Sequence, residues 1–111
     1  MDGDGEFSVG VTEGSGDFSI GSAVWPGTSK LIEEQGELIQ VLGKLMATAG
    51  GTEHWSGDLR KMLVEEIGDL SAAIVFFNTM NLTLDEVRQV AERADKKLAL
   101  FREWQRNPTK P

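Results

Sequence analysis

Glu65-Glu66-Ile67-Gly68-Asp69-Leu70-Ser71-Ala72-Ala73-Ile74-Val75-Phe76-Phe77 is the stretch that decides the fold. With Leu63 and Val64 before it, its apolar side chains cover nearly every face of a helix that starts around Ser56 to Asp58 and runs to about Asn78. A helix apolar all round is buried all round. Three helices from one chain of 111 residues can hardly enclose it, so the expected form is an oligomer with this helix at its centre. The length allows one domain, and a compact monomer of this size buries only about two-thirds of its unfolded surface. The apolar run from Leu70 to Phe77 falls far short of the roughly 20 residues that span a bilayer.

Upstream, Thr28 or Ser29 is placed to cap a helix whose apolar positions include Leu31, Ile32, Leu38, Val41, Leu42 and Leu45, and Gly50-Gly51 ends it. Downstream, Thr83 and Glu86 have the spacing of a capping box. Val87, Val90, Ala94, Leu98 and Phe101 then recur at helical spacing until Pro108 stops the helix. The order is helix, polar loop, helix, turn, helix: an all-α bundle without a sheet, three main helices per chain assembling into an oligomeric bundle. The helical domain is expected over residues 25–107, with a tail at 108–111.

Residues 1–24 form a Gly/Ser-rich acidic leader. It contains the echo Glu6-Phe7-Ser8-Val9-Gly10 and Asp17-Phe18-Ser19-Ile20-Gly21, and reads either as disordered or as a loose hairpin. The net charge of −7 belongs mostly to this leader: five of the 18 acids precede Lys30, and the remaining 13 face 11 bases. Without clustered Lys and Arg, the chain is not expected to bind a nucleic acid polymer or a membrane surface. It has no cysteine, which removes disulfides, thiolate metal sites and cysteine nucleophiles. The N-terminus has no apolar segment of the signal-peptide kind, and a cytoplasmic location is expected.

The chemistry is carried by a hexapeptide pattern that occurs twice, as Glu33-Glu34-Gln35-Gly36-Glu37-Leu38 and Glu65-Glu66-Ile67-Gly68-Asp69-Leu70. Within each, carboxylates at i and i+3 (Glu34 with Glu37, Glu66 with Asp69) lie about 60° apart around a helix, one turn along. Two antiparallel helices bearing these pairs gather four carboxylates. Such a cluster repels itself unless protons or cations neutralise it, and hard divalent cations with oxygen preference, Mg²⁺ above all, suit it. Each set also encloses a glycine, which costs a helix about 1 kcal/mol relative to alanine. Gly36 and Gly68 are therefore expected to mark close approach of a neighbouring helix or ligand.

The succession Glu-Glu-x-x-Glu and Glu-x-x-Asp on two helices resembles the signature of the MazG-like, all-α nucleoside triphosphate pyrophosphohydrolases. The resemblance covers residues 25–105 and includes the basic third helix ending in Phe101 and Trp104. It implies that Glu34, Glu37, Glu66 and Asp69 bind Mg²⁺, with Mn²⁺ as a substitute. The oligomer expected from the apolar second helix is a homo-oligomer, either dimer or tetramer. The implied reaction is attack of water on the α-phosphorus of a nucleoside triphosphate, releasing monophosphate and pyrophosphate. Glu33 is the first candidate for the base that orients the water and Glu65 the second; either also reads as an acid behind the ligands or facing solvent.

Other residues carry two readings each. Lys30, one turn before Glu34, reaches a phosphate or simply pairs with Glu34. Arg93 and Lys97, at i,i+4, form a phosphate clamp or an ordinary charged face. Trp25 and Trp55 stand at helix entrances, where they stack on a base or serve packing and oligomer contact. His54 is a lone loop histidine, and Asn78 and Asn81 read as ligand contacts or as cap and turn residues. A di-iron carboxylate site is set aside because no His follows Glu37 or Glu66 at the required offset. A non-catalytic oligomeric helical adaptor stands as the alternative function.

Overall fold

Helix α1 (Thr28–Ala47) begins where a glycine, rather than a hydroxyl side chain, turns the chain. The structure, a computed structural model, describes residues 25–108; the expected leader and the last three residues lie outside it. Gly27 is the N-cap, with φ of 92° and no side-chain capping bond. This corrects the expectation of a cap at Thr28 or Ser29. Thr28 is already helical and its Oγ1 donates to the Trp25 carbonyl at 2.6 Å. The reason lies across the fold: a Cβ on Gly27 would stand 3.0 Å from the Phe76 ring atoms Cδ2 and Cε2. At the far end Ala49 and Gly50 adopt left-handed φ values of 55° and 91°. There the Gly50 amide donates to the Leu45 carbonyl at 2.8 Å, closing the helix close to the expected glycine pair.

The polar loop is more ordered than expected. It holds a two-residue antiparallel pair, β1 (Glu53–His54) with β2 (Gly57–Asp58), in register Glu53 to Asp58 and His54 to Gly57. Gly57, at φ 129°, lets the chain reverse so tightly. The Leu59 amide donates to the Thr52 carbonyl at 2.8 Å, so the hairpin feeds directly into α2 (Leu59–Asn81). Asp58 caps that helix, its Oδ1 accepting from the amides of Arg60 at 2.9 Å and Lys61 at 3.3 Å. At its other end α2 runs three residues past Asn78. Asn81 Nδ2 donates to the Pro26 carbonyl at 2.9 Å and to the Phe77 carbonyl at 2.8 Å. That bond ties the C-terminus of α2 to the entry of α1, so the two helices lie antiparallel.

Val41, Leu59, Ala73 and the backbone of Gly27 are buried where α1 and α2 meet, and the Trp25 ring stacks over Phe77 at 6.4 Å. One helix packed on one side cannot enclose α2. Val64, Ile67, Ile74, Val75, Phe76 and Met80 remain exposed in the single chain.

Residues 82–108 form a second unit, described by itself. Thr83 and Glu86 close the expected capping box: Thr83 Oγ1 accepts from the Glu86 amide at 3.1 Å, and Glu86 Oε1 accepts from the Thr83 amide at 2.9 Å. Helix α3 runs Leu84–Arg106 with Asn107 as its C-cap, just before Pro108. It buries no residue; Val87, Val90, Leu98 and Phe101 are exposed, and Trp104 lies 5.6 Å from Phe101. Among the described residues the fold is thus three helices and one minimal hairpin, and no helix is long and apolar enough to cross a membrane.

Candidate metal centre

The antiparallel pairing of α1 and α2 brings the two hexapeptides face to face. Glu34 and Glu37, one turn apart on α1, and Glu66 on α2 each offer a carboxylate oxygen, and these three oxygens lie within 4.8 Å of one another. Glu34 is 12% exposed. Its Oε1 and the Oε1 of Glu66 are both buried without a hydrogen-bond partner. Asp69, the fourth expected ligand, stands outside this trio. It lines an adjoining cleft of about 440 Å³ together with Lys30, Glu34, Ala72, Ala73 and Phe76.

The electrostatics follow from this crowding. Burial, then the charges of Asp69 and Glu37, push the Glu34 carboxyl above its ordinary value, against the opposing pull of Lys30. Burial raises Glu66 as well, followed by repulsion from Glu37, Asp69 and Glu34. An unpaired buried carboxylate oxygen is costly, and two of them from facing helices form a donor set suited to a hard cation. All three groups offer oxygen, a donor that suits hard cations better than soft ones.

This arrangement fixes the sign of a pH effect. Both carboxyls hold their protons more tightly in the folded chain than in the unfolded one. They favour the folded state while protonated, and that contribution is lost as pH rises from about 4.5 through their raised values. The melting temperature should therefore carry a downward component across this window. Melting curves collected in EDTA every half pH unit check this; the same decline in a Glu34→Gln, Glu66→Gln variant would contradict it.

The remaining sequence candidates fall in different places. Lys30 Nζ pairs with Glu33 Oε1 at 2.8 Å and lies 3.8 Å from Glu34 Oε2, so the ion-pair reading holds, at the edge of the cleft. Glu33 and Glu65 are each one residue from a member of the trio, and both are exposed. Trp55 projects from the hairpin tip with 91% of its surface exposed and its ring 5.1 Å from His54. His54 is engaged locally, its Nδ1 accepting from the Ser56 amide at 3.1 Å. Arg93 and Lys97 lie on α3, in the second unit, and the carboxylate trio is assembled without them.

Two findings depart from the sequence reading. A Cβ on Gly36 or Gly68 would meet nothing within 4 Å, so neither glycine accommodates a neighbouring helix among the described residues. The second is the cleft wall of Ala72, Ala73 and Phe76, not singled out as site residues from the sequence. Its signal was present: positions 69, 72, 73 and 76 repeat at i+3, i+4 and i+7 and share the face of Asp69.

Comparison with protein-family models, curated proteins and solved structures finds no match to this chain. The resemblance to MazG-like enzymes therefore rests on the sequence motifs alone.

Proposed function

We propose that this chain is a divalent-cation-dependent, MazG-like nucleoside triphosphate pyrophosphohydrolase that works as a homo-oligomer. The observation that carries this is the pair of buried, unpartnered oxygens, Glu34 Oε1 and Glu66 Oε1, contributed by two neighbouring helices, with Glu34 also lining a cleft. Glu34, Glu37 and Glu66 hold the cation, with Asp69 one turn along. Bound there, Mg²⁺ supplies positive charge that offsets the charge developing on phosphate oxygens.

The chain's own residues divide the rest of the work. Lys30 faces the cleft with an ammonium group for the polyphosphate. The apolar wall of Ala72, Ala73 and Phe76 covers the nucleoside and excludes water from one side. Glu33, with Glu65 as second candidate, accepts a proton as the water oxygen bonds to the α-phosphorus. The α–β bridging bond breaks in the same displacement, and pyrophosphate leaves with the electron pair. Support for a second copy comes from α2, where Val64 and Val75 stay 65% and 63% exposed. An apolar helix left this open is covered when subunits associate.

The test is product analysis on a panel of ribo- and deoxynucleoside triphosphates. Equal yields of monophosphate and pyrophosphate are expected, abolished by EDTA and restored by Mg²⁺ or Mn²⁺. Orthophosphate as product, or activity that survives chelation, would refute the proposal. The same exposed apolar residues favour a second reading, a non-catalytic helical adaptor, which predicts no triphosphate turnover and no Mg²⁺-linked stabilisation.

A further inference from the structure

We infer that Lys30 is an exchangeable counter-ion: it neutralises Glu33 and Glu34 while no cation is bound, and transfers to a phosphate oxygen of the triphosphate once a cation takes Glu34. The inference rests on the phosphohydrolase reading and adds to it a residue that opposes cation binding yet favours substrate binding.

The geometry gives Lys30 both positions. Its Nζ lies 2.8 Å from Glu33 Oε1 and 3.8 Å from Glu34 Oε2, so the ammonium sits beside the carboxylate that the cation needs. It also lines the same cleft as Glu34, Asp69 and Phe76. Lys30 is in the first turn of α1, on a flexible four-carbon stem, and is 31% exposed. Its head can therefore move while the helix stays fixed. An ammonium and a divalent cation cannot share the Glu34 oxygens without repelling each other. Arrival of the cation weakens the hold of Glu34 on Lys30, and an anionic phosphate in the cleft is the nearest new partner for it. The exchange is reciprocal: phosphate binding draws the lysine away and strengthens the cation site, coupling the two ligands.

The experiment is titration of the full chain with Mn²⁺ alone, followed by electron paramagnetic resonance, and then titration of Mn²⁺-saturated protein with an α,β-methylene nucleoside triphosphate. Wild type, Lys30→Gln and Lys30→Arg are compared. Removing the charge should tighten Mn²⁺ binding about threefold to tenfold, the scale of one partly exposed ion pair, and weaken the nucleotide analogue by about tenfold. Lys30→Arg should return Mn²⁺ affinity to the wild-type level. Manganese affinity that is unchanged or weaker in Lys30→Gln overturns the inference, as does analogue affinity equal to wild type. Absence of Mn²⁺ binding in the wild type is a separate outcome: it removes the metal site itself and the inference with it.

Discussion

On the proposed reading, replacing Glu66 by Gln should lower kcat/KM for pyrophosphate release by about 10³-fold or more, while the cation-free protein should melt at a higher temperature than the wild type. The two effects share a cause. Glu66 presents a buried oxygen with no partner, and burial together with Glu37, Asp69 and Glu34 raises its carboxyl above the ordinary value. Glutamine keeps the shape and removes the charge, so the repulsion that opposes folding in EDTA is relieved. The same change would delete one of the three proposed ligands, a heavier loss than the roughly 10–100-fold that follows removal of a group behind a ligand. A role confined to structure would give the opposite stability sign, because breaking a favourable contact lowers the melting temperature. A coupled pyrophosphate assay and thermal melts in EDTA decide it. More than a tenth of wild-type activity, or a lower melting temperature without cation, would overturn the assignment.

The second large effect is on the fold: Gly27→Val should lower the melting temperature by about 15 °C. Gly27 has φ of 92°, a left-handed conformation that costs an ordinary L-residue about 1–2 kcal/mol and a β-branched one more. Any Cβ there also stands 3.0 Å from the Phe76 ring, whose displacement adds cost on the scale of overpacking, about 1–3 kcal/mol. A domain this small shifts by about 4–8 °C per kcal/mol. Gly50→Ala is the control, since Gly50 has nearly the same φ, 91°, with nothing within 4 Å of a Cβ. It should lose only a few degrees. Equal losses in the two variants would show that backbone strain alone matters and that the ring contact does not.

What the sequence makes legible here is whatever is encoded within one or two helical turns. The capping box of Thr83 and Glu86 is a bond between residues three apart, and Pro108 stops α3 through its own ring. The pairing of Glu34 with Glu37 follows from helical period, and the short loop to α2 is enough to bring Glu66 to the same place. What stays hidden depends on distant partners. Gly27 caps α1 at a left-handed φ, and Phe76, on the other helix, occupies the space a side chain would need. Asn81 reads as a turn residue, and its bond to Pro26 spans 55 positions. The two-residue strands around Trp55 are too short to show any alternation. Lys30 has two readings in the sequence, and the structure displays the ion pair while placing the residue beside the cleft that the other reading requires.

The open space over Gly36 and Gly68 bears on how the centre responds to load. Beside that space Glu34, Glu37 and Glu66 hold carboxylate oxygens that all lie within 4.8 Å of one another. Each helix carries a glycine there, between its own two acids, with no side chain to crowd a bend. Small adjustments of these carboxylates can thus be taken up locally, without disturbing the Gly27–Phe76 and Pro26–Asn81 joints near the end of the pair.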